Sequence, residues 1–146
     1  MVAEADEAAG VGLPAEIWDH LVAHARAEAP MEACGVVVGG PDGRAVRYQP
    51  LRNVAPGPDW FEPDPLQLLQ LTLAVEEAGE TLWGIYHSHP RSPARPSESD
   101  IAYAAYPDSL YLICSLQDPA QPQIRAWRIH AGTAREVPLR RTAAQG

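Results

Sequence analysis

At 146 residues the chain has the length of one domain, with room for an ordinary hydrophobic core. Hydrophobic residues are 46% of it and charged residues 21%, a balance that excludes a disordered chain. A net charge of −8 and a pI near 5.0 argue against nucleic acid as the main partner, since a phosphate backbone needs a basic face.

Residues 1–12 are acidic and alanine-rich, without the basic start and apolar run of a secretory signal. They are expected to form a flexible tail, as are residues 141–146, leaving a single domain over 13–140. No stretch approaches the length of a membrane span. Cys34 and Cys114 are too few for a disulfide framework, so the expected compartment is the cytoplasm and no membrane partner is expected. All eleven cationic residues are arginine, which reads as the codon bias of a G+C-rich genome and leaves no side-chain amine for an isopeptide tag.

Pro14 can open a helix on which Ile17, Trp18, Leu21, Val22 and Ala25 form an apolar stripe, closed by Pro30. Cys34 to Gly39 reads as a central strand. Gly40-Pro41-Asp42-Gly43 is a turn signal, and Ala45 to Pro50 is the return strand of a hairpin. A proline-rich loop, Asn53 to Pro63, follows. Asp64-Pro65 and Gly79 bracket a helix over 65–78. Leu82 to Tyr86 is a buried strand that ends in His87-Ser88-His89-Pro90. A short helix is expected over 98–106, then strands at 110–116, 123–130 and 135–139. The fold class is α/β, with helices against a mixed sheet.

His87 and His89 lie on one face if the backbone there is extended, because strand side chains alternate. Proline at 90 stops the strand, and the next loop delivers Asp100. Two imidazoles and a carboxylate make a three-ligand zinc site with a fourth position for water, the catalytic arrangement. The plainer alternative is a pair of hydrogen-bonded histidines at a strand end. Ser97-x-x-Asp100 also has the form of a helix capping box, a role compatible with ligation because a cap fixes the backbone from which Asp100 reaches. Glu32 is either a solvated acid or a base near the metal, and the sequence alone does not choose. His20 and His24 are spaced i, i+4 but lack the glutamate of an H-E-x-x-H motif, so a solvated helix face is expected. Cys34 and Cys114 sit in apolar surroundings and read as buried, inert thiols.

Glu32, His87-Ser88-His89-Pro90 and Ser97-x-x-Asp100 together resemble the JAMM (MPN+, Mov34) metalloprotease motif. Glu32 to Gly39, Asn53-Val54-Ala55, Phe61 to Pro65 and Gly84-Ile85-Tyr86 are similar to its small stand-alone bacterial branch, from about residue 14 to about 130. The resemblance implies a fold like that of the cytidine deaminases, and one zinc per chain held by His87, His89 and Asp100. It implies Glu32 as the general base and Ser97 as the group that steadies the oxyanion. Eukaryotic members cleave ubiquitin isopeptide bonds and carry extra loops, for which the eight residues between Asp100 and Ser109 leave little room. The bacterial branch acts on ubiquitin-like sulfur-carrier proteins whose tails end in Gly-Gly. The expected activity is therefore a zinc peptidase cutting after such a tail, with an isopeptidase acting on modified lysines as the alternative. A metal-free MPN scaffold would lack parts of the motif, and none is missing here.

Overall fold

The computed structural model of the chain describes Glu7 and residues 9–143. The elements along it are β1 (Val11–Pro14), α1 (Ala15–Glu28), β2 (Cys34–Gly39), β3 (Ala45–Leu51), α2 (Pro65–Glu77), β4 (Thr81–His89), α3 (Glu98–Ala102), β5 (Leu110–Ser115), β6 (Gln123–His130), β7 (Thr133–Val137) and β8 (Leu139–Thr142). Six strands form a mixed sheet in the order β3-β2-β4-β5-β6-β7, in which only β4 and β5 run parallel. The α/β class with helices on a mixed sheet is the one expected.

Alternation along the strands sorts the core into two layers. On one side Val37, Tyr48, Tyr86, Leu112 and Ala126 cluster with Ile17, Leu21 and Ala25 of α1. On the other, Cys34, Val36, Val38, Ile85 and Tyr111 cluster with Val75, Leu68 and Leu71 of α2. Positions 85, 87 and 89 of β4 consequently face the α2 side. Gly35 is required where it lies beside Pro50 of the antiparallel β3, because a β-carbon there would lie 2.6 Å from the Gln49 carbonyl oxygen. Asp64 caps α2 by accepting from the N–H groups of Leu66 (3.0 Å) and Gln67 (3.4 Å), a contribution of about 1 kcal/mol. Gly79 ends that helix region at φ +70°, a left-handed conformation that favours glycine.

The structure corrects several local expectations. α3 stops at Ala102 rather than 106, because the N–H groups of Ala105 and Tyr106 donate to the Tyr111 hydroxyl (3.1 and 2.9 Å), not to a helical carbonyl. The strand expected over 135–139 is two strands broken at Pro138, whose carbonyl accepts from Val11 N–H at 2.8 Å. β8 then pairs in parallel with β1, Val11 beside Leu139 and Pro14 beside Thr142. The expected domain limits at 13 and 140 thus fall inside paired strands. Of the expected tails, residues 1–6, 8 and 144–146 lie outside the described residues. His24 is not on a solvated face: its Nδ1 lies 2.7 Å from the Tyr48 hydroxyl, and its side chain is 12% exposed. Both cysteines are fully buried, and burial pushes the Cys34 thiol up to about 12 and the Cys114 thiol up to about 11. Among the described residues no helix is long and apolar enough to cross a membrane.

Candidate metal centre

β4 carries His87 and His89 to its C-terminal end, where both are buried. Ser88, between them, points the other way and bonds the segment before β2. Its N–H donates to the Ala33 carbonyl (3.0 Å), and its hydroxyl oxygen accepts from the Ala33 N–H (2.8 Å). β2 pairs antiparallel with β4, Cys34 opposite His87, and the Ala33–Ser88 bonds continue that register. The residue before Ala33, Glu32, is 7% exposed, and its carboxyl feels the charges of His89 and Asp100.

α3 supplies the third donor. Ser97 is its N-cap: the Ser97 hydroxyl accepts from Asp100 N–H (3.1 Å), and Asp100 Oδ2 accepts from Ser97 N–H (2.9 Å). This capping box holds the Asp100 carboxylate against the two imidazoles. The His87 and His89 Nε2 atoms lie 3.1 Å apart, and 3.0 and 3.1 Å from Asp100 Oδ2. Among the described residues this is the group of histidine, cysteine and carboxylate donors that can converge on one ion. Cys34, opposite His87 in the sheet, is not part of it.

The chemistry of the donors is that of a cation site. His89 Nδ1 lies 2.7 Å from the Pro93 carbonyl, an acceptor, so the proton of a neutral ring sits there. The lone pair of His89 Nε2 is then aimed at a carboxylate oxygen and at a second imidazole nitrogen, an arrangement satisfied either by a second proton on the ring or by a metal cation between the donors. The edges of the triangle also match. Donors about 2.0–2.1 Å from a tetrahedral divalent ion stand about 3.3 Å apart. The group therefore fits a metal ion.

Burial and charge set the protonation states. Burial depresses the His87 pKa, with Asp100 opposing it. Burial also pulls on His89, but the hydrogen bonds to Asp100 and to the Pro93 carbonyl prevail and raise it. Burial opposes ionisation of Asp100, yet its bonds to both histidines hold it well below the usual carboxylate range. Burial, helped by the Asp100 and Asp59 carboxylates and opposed by His89, raises Glu32 to about 7. That value places a proton acceptor within reach of neutral pH.

Three neighbours were not assigned a role from sequence. Phe61 stacks on the His87 ring, centroids 4.3 Å apart and planes 15° from parallel. Asn53 satisfies all four of its side-chain positions. Its amide donates to the carbonyls of Glu32 (2.9 Å) and Trp60 (3.3 Å), and its oxygen accepts from Ala55 and Glu62 N–H (2.9 Å each). It thereby ties the Glu32 backbone to the loop that carries Trp60 and Phe61. Trp60 in turn meets Tyr103 edge to face, 5.1 Å apart. Beside the donors opens a groove of about 390 Å³ whose lining includes Glu32, Trp60, Phe61, Leu68, His87 and Tyr103.

Two histidines at a strand end and a carboxylate at a helix start, brought together beside an apolar groove, form the kind of site that a metal-dependent hydrolase uses. The chain belongs to the prokaryotic homologues of the JAB domain, whose family model matches residues 14–130. It is 38% identical over 127 residues to a CysO-cysteine peptidase of Mycobacterium tuberculosis, covering 86% of each chain. It is 40% identical over 111 residues to a desampylase of Haloferax volcanii, covering 72% of this chain and 80% of the relative. Among solved structures, a protein of Desulfitobacterium hafniense superposes with a TM-score of 0.81 at 33% identity, over 91% of this chain and 93% of its own.

Proposed function

We propose that the protein is a zinc-dependent peptidase that hydrolyses the peptide bond after the Gly-Gly tail of a ubiquitin-like sulfur-carrier protein in the cytoplasm. The observation that carries this reading is the converging group His87, His89 and Asp100 beside a buried Glu32 and an apolar groove. Similarity to a CysO-cysteine peptidase supports the substrate class.

His87, His89 and Asp100 would hold the zinc. When bound, zinc supplies a Lewis acid that polarises a carbonyl and brings the pKa of water to about 7. Glu32 accepts a proton from the attacking water and returns it to the leaving amine. Ser97 accepts the Asp100 N–H, and with its Oγ 3.1 Å from the Ser99 hydroxyl, which can supply the proton of that contact, the Ser97 proton would donate to the developing oxyanion. Phe61 and Trp60 wall the groove against water, and a tail of two glycines threads it without side chains to accommodate.

The body of the carrier needs a docking surface. Leu66, Leu69 and Leu73 recur on one side of α2 and are 61%, 55% and 56% exposed, while Leu68 of the same helix lines the groove. An exposed leucine stripe on the outer side of the helix whose inner side borders the groove suits an apolar face of a small globular partner. Burying one leucine is worth about 1.5–3 kcal/mol. Leu69→Asp is therefore expected to raise KM for the carrier about tenfold or more while kcat and zinc content hold. Initial rates against carrier concentration check this.

The direct test is intact-mass spectrometry of a host sulfur-carrier protein extended past Gly-Gly, incubated with the protein alone, with a chelator, or with the Glu32→Ala variant. Loss of the extension only with the metal-bearing wild type is the expected result. A zinc-loaded protein that leaves the extension intact would sink the peptide-bond reading. A second reading, an isopeptidase that removes the carrier from lysines, is favoured by the similarity to a desampylase. The same assay on a lysine-linked conjugate decides between the two.

A further inference from the structure

The loop between β4 and α3 is pinned by donors that belong to other strands. Three consecutive carbonyls, those of Ser92, Pro93 and Ala94, each accept from a side chain. Ser115, the last residue of β5, donates its hydroxyl to the Ser92 carbonyl at 2.6 Å. His89 Nδ1 donates to the Pro93 carbonyl at 2.7 Å, and the Arg95 N–H shares that oxygen at 2.8 Å. Trp127 on β6 donates its indole N–H to the Ala94 carbonyl at 3.1 Å. The Ser115 oxygen also accepts from Gln117 N–H (3.1 Å), which leaves its own proton for Ser92. Ser115 is 5% exposed and Ala94 2% exposed, so water does not readily substitute for these donors.

The consequence falls on His89. Its Nε2 presents a lone pair to the metal only while the proton stays on Nδ1, and the Pro93 carbonyl keeps it there. A loop carbonyl left free would turn with its peptide plane. Fixing the peptides on both sides of Pro93 removes that freedom. The register reinforces the arrangement: His89 pairs with Ser115 across the parallel β4–β5 ladder, and Leu116 N–H donates to the His89 carbonyl at 3.0 Å. The end of β5 thus holds both the backbone of His89, through Leu116, and the loop that orients its ring, through Ser115.

We propose that Ser115 and Trp127 are positioning residues for the metal, a clamp that holds the Pro93 carbonyl in place so that His89 keeps Nε2 free for the ion. The proposal rests on the zinc reading above. It adds that the affinity of the site is set partly on β5 and β6, by residues that touch neither metal nor substrate.

The test is zinc affinity of the full chain, by competition with a chromophoric chelator, together with the visible spectrum of the cobalt-substituted protein. Loss of an outer-shell hydrogen bond to a metal-bound histidine costs about 10–100-fold in affinity. Ser115→Ala and Trp127→Phe, which keeps an aromatic side chain but loses the indole N–H along with part of the ring system, are each expected to weaken zinc about tenfold. Both are expected to alter the cobalt bands. Ser115→Thr, which retains the hydroxyl, is expected to recover most of the affinity. Ser109→Ala is the control. Its hydroxyl makes the same kind of buried bond, to the Leu82 carbonyl at 2.5 Å, but at the opposite end of the β4–β5 pair. That variant is expected to lose stability without losing zinc affinity. Equal affinity in wild type, Ser115→Ala and Trp127→Phe would overturn the clamp while leaving the metal centre standing. A wild-type protein that binds no zinc would overturn the metal centre itself, and the clamp with it.

Discussion

Glu32→Gln is expected to lower kcat by about 10²–10⁴-fold, the range associated with one positioned general base, while zinc stays bound and KM for the carrier changes little. The substitution keeps the volume of a side chain that is 7% exposed. It also keeps the backbone carbonyl that accepts from Asn53 at 2.9 Å. What it removes is the capacity to take a proton. The wild-type pH profile should carry the same signature. Glu32 works as a base only when ionised, so activity rises with pH through its pKa. Burial first, and then the Asp100 and Asp59 carboxylates, push that value up to about 7 without a metal. A cation beside it favours the charged carboxylate and draws the value down. The acid limb is therefore expected at or below pH 7, and absent in the variant. Rates from intact-mass time courses across pH, paired with metal analysis, provide the check. A zinc-loaded Glu32→Gln protein with wild-type turnover would remove Glu32 from the mechanism.

Asp100→Ala should have the larger effect on the metal. One carboxylate oxygen lies 3.0 and 3.1 Å from the two histidine Nε2 atoms, and it also accepts the Ser97 N–H at 2.9 Å. Alanine deletes a donor, the negative charge that balances a divalent ion, and half of the α3 capping box. Zinc affinity is expected to fall by more than about 100-fold, beyond the range of outer-shell losses, and activity is lost with it. A stability loss of about 1 kcal/mol accompanies the broken cap. Asp100→Asn separates the two effects: its amide oxygen can still accept from Ser97 N–H, so stability recovers while zinc affinity does not. Calorimetric zinc titration and thermal melts of the metal-free proteins measure both. Unchanged zinc affinity in either variant would show that Asp100 serves only the helix.

The parts of this fold that could be read along the chain are those whose determinants are close in sequence. His87 and His89 are two apart on a strand, and Ser97 and Asp100 are three apart at a helix start, so alternation and capping chemistry were enough to expect them on one site. Asp64-Pro65 and Gly79 likewise marked the ends of α2. Glu32 was different. Its proximity to His89 depends on the β2–β4 register and on Ser88 bonding Ala33, which no local pattern reveals. The same holds for Asn53, which belongs to a proline-rich loop by composition yet bonds across to Glu32. The early end of α3 depends on the Tyr111 hydroxyl of a later strand. β1 and β8 were missed because each is four residues long, too short to display alternation, and β1 contains a glycine and a proline.

That parallel pairing of β1 with β8 also decides how the molecule can be handled. Gly10 and Val11 at one end, and Arg140, Thr142 and Ala143 at the other, border a common cleft with Trp83. From Trp83, β4 still runs six residues to His89, about 20 Å of extended chain. Gly10 and Ala143 therefore sit at the same edge, with the metal-donor end of β4 at the far end of the strand. Tethered to a bead or an electrode at that edge, the molecule would present its groove outward to a carrier arriving from solution.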